Sequence, residues 1–139
     1  MTENIANQIA TLINSRNELA VQYTAQKVLN QADDHLWVLQ TDSVIGVVRV
    51  QRVRWYQAEI SHLSVHADCG RSGIGTTLLN RALERAAALG ARIAQCTIRD
   101  TNTPSIGFFT KHGFASTTEF FYPPTGNTVR VFQRPLTTA

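Results

Sequence analysis

A strand-like segment that runs through three glycines straight into a long helix constrains this chain more than any other feature. The glycines are Gly70, Gly73 and Gly75, and residues 58–65 before them alternate as a strand does. After them, residues 73–89 bring Ile74, Leu78, Leu79, Leu83, Ala86 and Ala87 to one helical face, with Gly90 placed as the C-cap. The first turn of a helix has backbone N–H groups with no partner inside the helix, and the helix dipole adds positive charge there. Glycines let an anion approach those donors without a Cβ in the way. Arg71 adds a full charge to the same loop. A pyrophosphate is the ligand such a loop suits.

The rest of the chain supplies a sheet for this unit. Residues 4–14 carry Ile5, Ile9, Leu12 and Ile13 at helical spacing, with Asn4 as N-cap, and Ser15-Arg16-Asn17 breaks the pattern. Thr24 caps a short second helix through Asn30, with Val28 and Leu29 facing inward. Leu36–Leu39 and Val44–Val50 are strands around the turn Thr41-Asp42-Ser43. Ile93–Ile98 is expected to run parallel to strand 58–65, because a helix crosses between them. A helix over 104–112 has Pro104 in its first turn, and two strands, Ala115–Phe121 and Thr128–Gln133, close the chain around Pro123-Pro124-Thr125-Gly126-Asn127. The expected fold class is α/β with a mixed sheet and no internal repeat.

Which phosphate ligand is expected follows from the glycine spacing. A P-loop needs a Gly-Lys pair that this loop lacks, and a dinucleotide fingerprint has its close glycine pair first rather than last. The segment instead resembles the acyl-CoA-binding core of the GNAT (GCN5-related) N-acetyltransferases, through Val65, His66, Gly73, Ile74, Gly75, Leu78 and Leu79. The family's basic residue three before the central glycine is Gly70 here, with arginine one step later at Arg71, and Ala67 stands where a proline is frequent. Asn102 to Phe114 resembles the family's second signature, at the family's spacing from the first. The resemblance covers roughly residues 36 to 134.

That resemblance implies a GNAT-like mixed, mostly antiparallel sheet with a central parallel strand pair and flanking helices. The family usually begins with a strand, but only three residues precede the first helix here, so the sheet is expected one strand short at that edge. The resemblance also implies acetyl-CoA as cosubstrate, held in a gap where the parallel strands splay. Leu63 and Val65 would contact the pantetheine arm. The pyrophosphate would lie on Gly70, Arg71, Ser72, Gly73, Ile74, Gly75 and Thr76, with Asn102 and Ser105 approaching from the other side and Phe109 in the pocket wall. The reaction implied is acetyl transfer from acetyl-CoA directly to a primary amine, since nothing resembles a Cys/His nucleophilic pair.

Such a transfer needs a base for the ammonium proton, an oxyanion donor and an acid for the leaving thiolate. Glu59 is the candidate base: Glu59 to Val65 resembles the histone-acetylating branch, where a glutamate here takes the proton. Strand period would put Glu59, Ser61, Leu63 and Val65 on one face and His62 on the other. The tyrosine many members use as acid is Phe109 here, which has no proton to give; Tyr122 or Tyr56 could substitute, or the thiolate leaves unassisted or takes its proton through water. Acceptor specificity is expected from residues 14–35 and 119–130, where Asp33, Asp34 and Glu119 could attract a cationic amine. The acceptor, a small-molecule or peptide amine, stays open.

Composition excludes more than it selects. At 139 residues the chain is expected to be a single acetyltransferase domain over residues 1–139. Cys69 and Cys96 fit no metal-ligand spacing, so no metal is expected, and free thiols suit a cytoplasmic protein. No signal peptide or membrane span is visible. A net charge of +3 is too mild to argue for nucleic acid, and Arg49, Arg52 and Arg54 read first as a solvated strand edge. The exposed edges of a short sheet allow a homodimer. The rival reading is a non-catalytic acyl-CoA-binding or regulatory protein on the same fold, and Phe109 motivates it.

Overall fold

The computed structural model describes residues 1–70 and 72–136. Its elements, in chain order, are α1 (Glu3–Arg16), α2 (Ala25–Asn30), β1 (His35–Gln40), β2 (Ser43–Arg54), β3 (Gln57–Val65), α3 (Ile74–Ala88), β4 (Ile93–Arg99), α4 (Thr103–Lys111), β5 (Ala115–Tyr122) and β6 (Asn127–Pro135). One six-stranded sheet runs in the order β1-β2-β3-β4-β6-β5. Only β3 and β4 pair in parallel, and the other pairs are antiparallel. No strand precedes α1 among the described residues, as the sequence led us to expect.

Two apolar clusters lie on opposite faces. One packs α3, through Leu78, Leu79, Ala82, Leu83 and Ala86, on Val48, Val50, Ala58, Ile60 and Phe132. The other packs Ala6, Ile9, Leu12 and Ile13 of α1 with Tyr23, Val28, Val44 and Val47. The N-cap of α1 is Thr2 rather than Asn4: its Oγ1 accepts from the Ile5 N–H at 3.2 Å. At the far end of α3, Gly90 (φ 87°) follows the last turn, and the Gly90 and Ala91 amides donate back to Ala87 and Ala86. Gly46 has a different task. A Cβ there would stand 2.7 Å from Leu78 Cδ1 and 2.9 Å from Ile74 Cγ2, so its bare Cα lets the start of α3 press against β2.

β3 does not keep a simple alternation. Its register with β2 runs Val50↔Ile60, Arg49↔Ser61 and then Val47↔Ser64, so His62 and Leu63 together face Val48. His62 sits at φ 56°, in the left-handed region. The bulge swaps the faces beyond it. Ile60, before it, and Leu63, after it, both pack with the α3 cluster, and Val65 lies next to Gly75. His62 turns to the α1 side, edge-on to Tyr23 at 5.1 Å between ring centroids. Glu59 and Ser61 therefore share a face with His62, not with Leu63 and Val65, because one inserted residue reverses the period-two rule.

The bulge is tied to α1 by side chains. Asn17, which ends α1, donates its Nδ2 to Ile13 O and to Ser64 Oγ, both at 2.8 Å. Ser64 Oγ in turn donates to His62 O at 2.9 Å. Ser64 is 2% exposed, so no water replaces it. Ser64→Ala leaves the His62 carbonyl and one Asn17 N–H without their partner, and the expected cost is about 1–3 kcal/mol of unfolding free energy in urea; an unchanged midpoint would show that the bulge holds without this chain.

Candidate active site

β3 and β4 pair only at Gln57–Ile93, Ala58–Ala94 and Glu59–Gln95. β4 then stays with β6 as far as Arg99, while β3 bends away through its bulge. The two strands open into a V, and the residues of β3 from Ile60 to Val65 have no strand partner on that side. A cavity of about 390 Å³ fills the V. Ile60, Ser61, His62 and Leu63 of β3 line it, facing Cys96 to Arg99 of β4. Arg16 to Ala20, at the end of α1, form one wall, and Phe120, Tyr122, Thr125, Asn127 and Val129 of the last hairpin form another.

Of the candidate residues, Leu63, Asn102, Ser105, Phe109 and Tyr122 meet on this cavity. Asn102 caps α4, accepting from the Ser105 N–H at 3.3 Å, with Pro104 in the first turn. Phe109 is buried and packs edge-on against Phe114 at 5.2 Å. Tyr122 is 40% exposed at the rim. Tyr56, the other acid candidate, lies beside Trp55 in the turn before β3, away from the cavity lining.

Val65 and the glycine loop lie outside the cavity, further along β3. Gly73 is the N-cap of α3 at φ 83°, with no side chain satisfying the first turn. The Ile74, Gly75 and Thr76 amides have no backbone partner among the described residues, whereas Thr77 N–H already bonds Gly73 O at 3.0 Å. Nothing among the described residues lies within 4 Å of where a Gly73 Cβ would be. The Ser72 hydroxyl donates to Cys69 O, and Gly70 closes the short turn before it. Arg71, assigned to the same anion, lies outside the described residues.

Glu59 stands at the closed end of the V, one alternation behind Ser61, and does not line the cavity itself. Burial pushes its carboxyl up to about 7, while the Gln95 side chain pulls the other way. The Gln133 Nε2 donates to Gln95 Oε1 at 2.7 Å, and Glu59 Oε2 is buried with no partner. His62 is pushed down to about 4, first by burial and then by Arg49, His35 and Lys27, so it is neutral near pH 7. Burial raises the Cys96 thiol well above its usual range, and Glu59 adds to this. Among the described residues no group of His, Cys, Asp or Glu is placed to hold a metal ion, and no helix is long and apolar enough to cross a membrane.

The charges assigned to acceptor capture fall elsewhere. Asp34 pairs with Arg49 at 3.1 Å, Asp33 borders a separate cleft with Arg81 and Arg85, and Glu119 is exposed on β5. None of the three lines the cavity. Arg52 is committed to Leu89 O and Trp55 O at 3.0 and 2.9 Å, so Arg49, Arg52 and Arg54 do not form one free edge. The sequence reading missed Arg16, Glu18 and Arg99, whose approach spans up to 81 positions and leaves no local signal.

Known proteins give this geometry a context. No curated protein matches the chain in sequence. Among solved structures it is similar to Ard1 from Thermoplasma volcanium, at 18% identity and a TM-score of 0.84, covering 99% of this chain and 95% of that one. The protein yncA from Salmonella typhimurium, solved with its cofactor acetyl-CoA, gives 17% and 0.83, covering 100% and 92%. The ribosomal-protein-S18-alanine N-acetyltransferase from Escherichia coli gives 17% and 0.78, covering 100% and 92%. At these identities the likeness is one of fold. The sequence model of the acetyltransferase (GNAT) family matches residues 4–114, most of the length. The chain belongs to the GNAT family of acetyltransferases.

Proposed function

We propose that this protein transfers an acetyl group from acetyl-CoA directly to a primary amine. One observation carries the reading: the strand edge left open beyond Glu59 runs from the cavity towards the bare N-terminus of α3. A thin arm with amide groups, ending in a pyrophosphate, needs those two surfaces in that order. Leu63 and Val65 then offer main-chain groups to the arm. Gly70, Ser72, Gly73, Ile74, Gly75 and Thr76, with Arg71, receive the pyrophosphate, while Asn102, Ser105 and Phe109 border the arm from α4. The neighbour solved with acetyl-CoA supports the same choice of cosubstrate.

When bound, acetyl-CoA supplies an acyl group already activated as a thioester. The amine must reach it as a free base: its nitrogen takes the acyl carbon, the C–S bond breaks, one proton leaves nitrogen and one reaches sulfur. Glu59 suits the first proton. A carboxyl near 7 is poised to accept at neutral pH, and its Oε2 is buried without a hydrogen-bond partner. Tyr122 suits the second, since it lines the cavity in which Phe109 offers no proton. Phe109 also favours a second reading, an acyl-CoA-binding regulator, in which no amine accelerates CoA release.

Three variants test the acetyl-transfer reading. Thr76→Glu places a carboxylate among the α3 donors, where it opposes a pyrophosphate but favours the helix dipole. Calorimetry is expected to show acetyl-CoA affinity down at least about tenfold while the melting temperature holds or rises; unchanged affinity would place the anion elsewhere.

Glu59 ionises near 7 in the folded chain against 4.5 for the ordinary group, so the folded state holds the extra proton between those values. Stability therefore falls as pH rises from 4.5 to about 7, and Glu59→Gln removes that fall. In wild type, log kcat/KM should rise with pH and flatten above about 7; the variant should lose that limb and about 10²–10⁴ in rate. Tyr122→Phe should lower kcat by about 10²–10⁴ with little change in KM; both variants at full rate would leave the transfer without these residues.

A further inference from the structure

Charge at the cavity differs from what a cationic acceptor needs. Three formally charged side chains line it: Arg16, Glu18 and Arg99. Glu18 is already committed. Its Oε2 accepts from an Arg99 amino group at 2.7 Å, and its Oε1 accepts from Asn127 Nδ2 at 3.1 Å. Arg16, on the last turn of α1, forms no ion pair among the described residues. His62, the other titratable ring in the lining, is neutral near pH 7 and adds no negative charge. Among the described residues the lining therefore sums to one net positive charge, with no carboxylate left to receive a second ammonium.

We infer that the acceptor is a small amine that also carries a carboxylate, with Arg16 and Arg99 as the groups that hold the carboxylate. This rests on the acetyl-transfer reading and adds the acceptor's chemical class. A guanidinium presents paired N–H donors that match a carboxylate edge to edge, and Arg99 uses one amino group on Glu18, leaving others for a ligand. Leu63, Asn102, Ser105 and Phe109, assigned to the thioester arm, border the same 390 Å³, so the space beyond them suits a molecule of amino-acid size. A polyamine would meet Arg16 with like charge and find no carboxylate in return.

Glu18 gives the inference its sharpest test. If the acceptor's carboxylate binds Arg99, Glu18 competes with it, and Glu18→Gln should lower the acceptor KM. If Glu18 instead held an acceptor ammonium, the same change should raise KM. The assay is CoA release with free L-amino acids and β-alanine, each beside its own carboxamide, and with spermidine. Calorimetry of acetyl-CoA is run in parallel, and the best amino acid is titrated into protein saturated with CoA. A carboxylate amine is expected to exceed its carboxamide about tenfold in kcat/KM, and Arg16→Gln to raise its KM and its Kd on the CoA complex about tenfold. Preference for carboxamides or spermidine, a raised KM in Glu18→Gln, or no turnover of any carboxylate amine by a protein that binds acetyl-CoA would each overturn the inference. Failure to bind acetyl-CoA would instead overturn the acetyl-transfer reading beneath it.

Discussion

Three residue pairs hold β3 to β4, and then the pairing stops because β3 carries one residue too many. The extra residue at His62 turns the strand out of line, opens a V in a sheet that is otherwise continuous, and leaves a strand edge bare inside the molecule. A bare edge is costly unless something pairs with it. The remaining features suit that open edge. α1 clamps the bulge through Asn17 and Ser64, Gly46 lets α3 start close against β2, and Gly73 opens the first turn of α3. Strain at φ 56° in His62 is held in place by this clamp and by the Tyr23 ring.

The same distortion sets the chemistry. At the closed end of the V, burial keeps the Glu59 proton to near neutral pH, and one carboxyl oxygen has no hydrogen-bond partner. At the open end, Arg16 of α1, Glu18 just after it and Arg99 of β4 supply a charged rim in which Glu18 bridges Arg99 and Asn127. The buried carboxyl and the charged rim thus stand at opposite ends of the splayed strand pair.

Much of this was legible in the chain. The glycine loop, the long helix after it and the parallel strand beyond it are local patterns, and α3 and β4 fall within about two residues of expectation. Asn102 and Pro104 announced α4 for the same reason, since caps are local chemistry. The bulge was missed, although the apolar positions slip phase by one residue, from Ala58 and Ile60 to Leu63 and Val65; the partner strand makes it plain, because Val48 faces two residues. Asn4 was chosen as a cap where Thr2 does the work, a slip of the kind expected when two capping residues stand close together. Parts of the segments 14–35 and 119–130 border the cavity as expected, but the meeting of Glu18, Arg99 and Asn127 was illegible because it forms only once the sheet is assembled.

The account stands on the splayed edge of β3 being a binding surface. Amide resonances followed by NMR during a titration with CoA test it most directly. The account predicts large shifts and slowed hydrogen exchange at Leu63, Val65 and Ile74 to Thr76, with smaller changes at Ser105 and Phe109 and none along β1. Perturbation confined to other elements, with the Leu63 and Val65 amides exchanging as fast with CoA as without it, would contradict it.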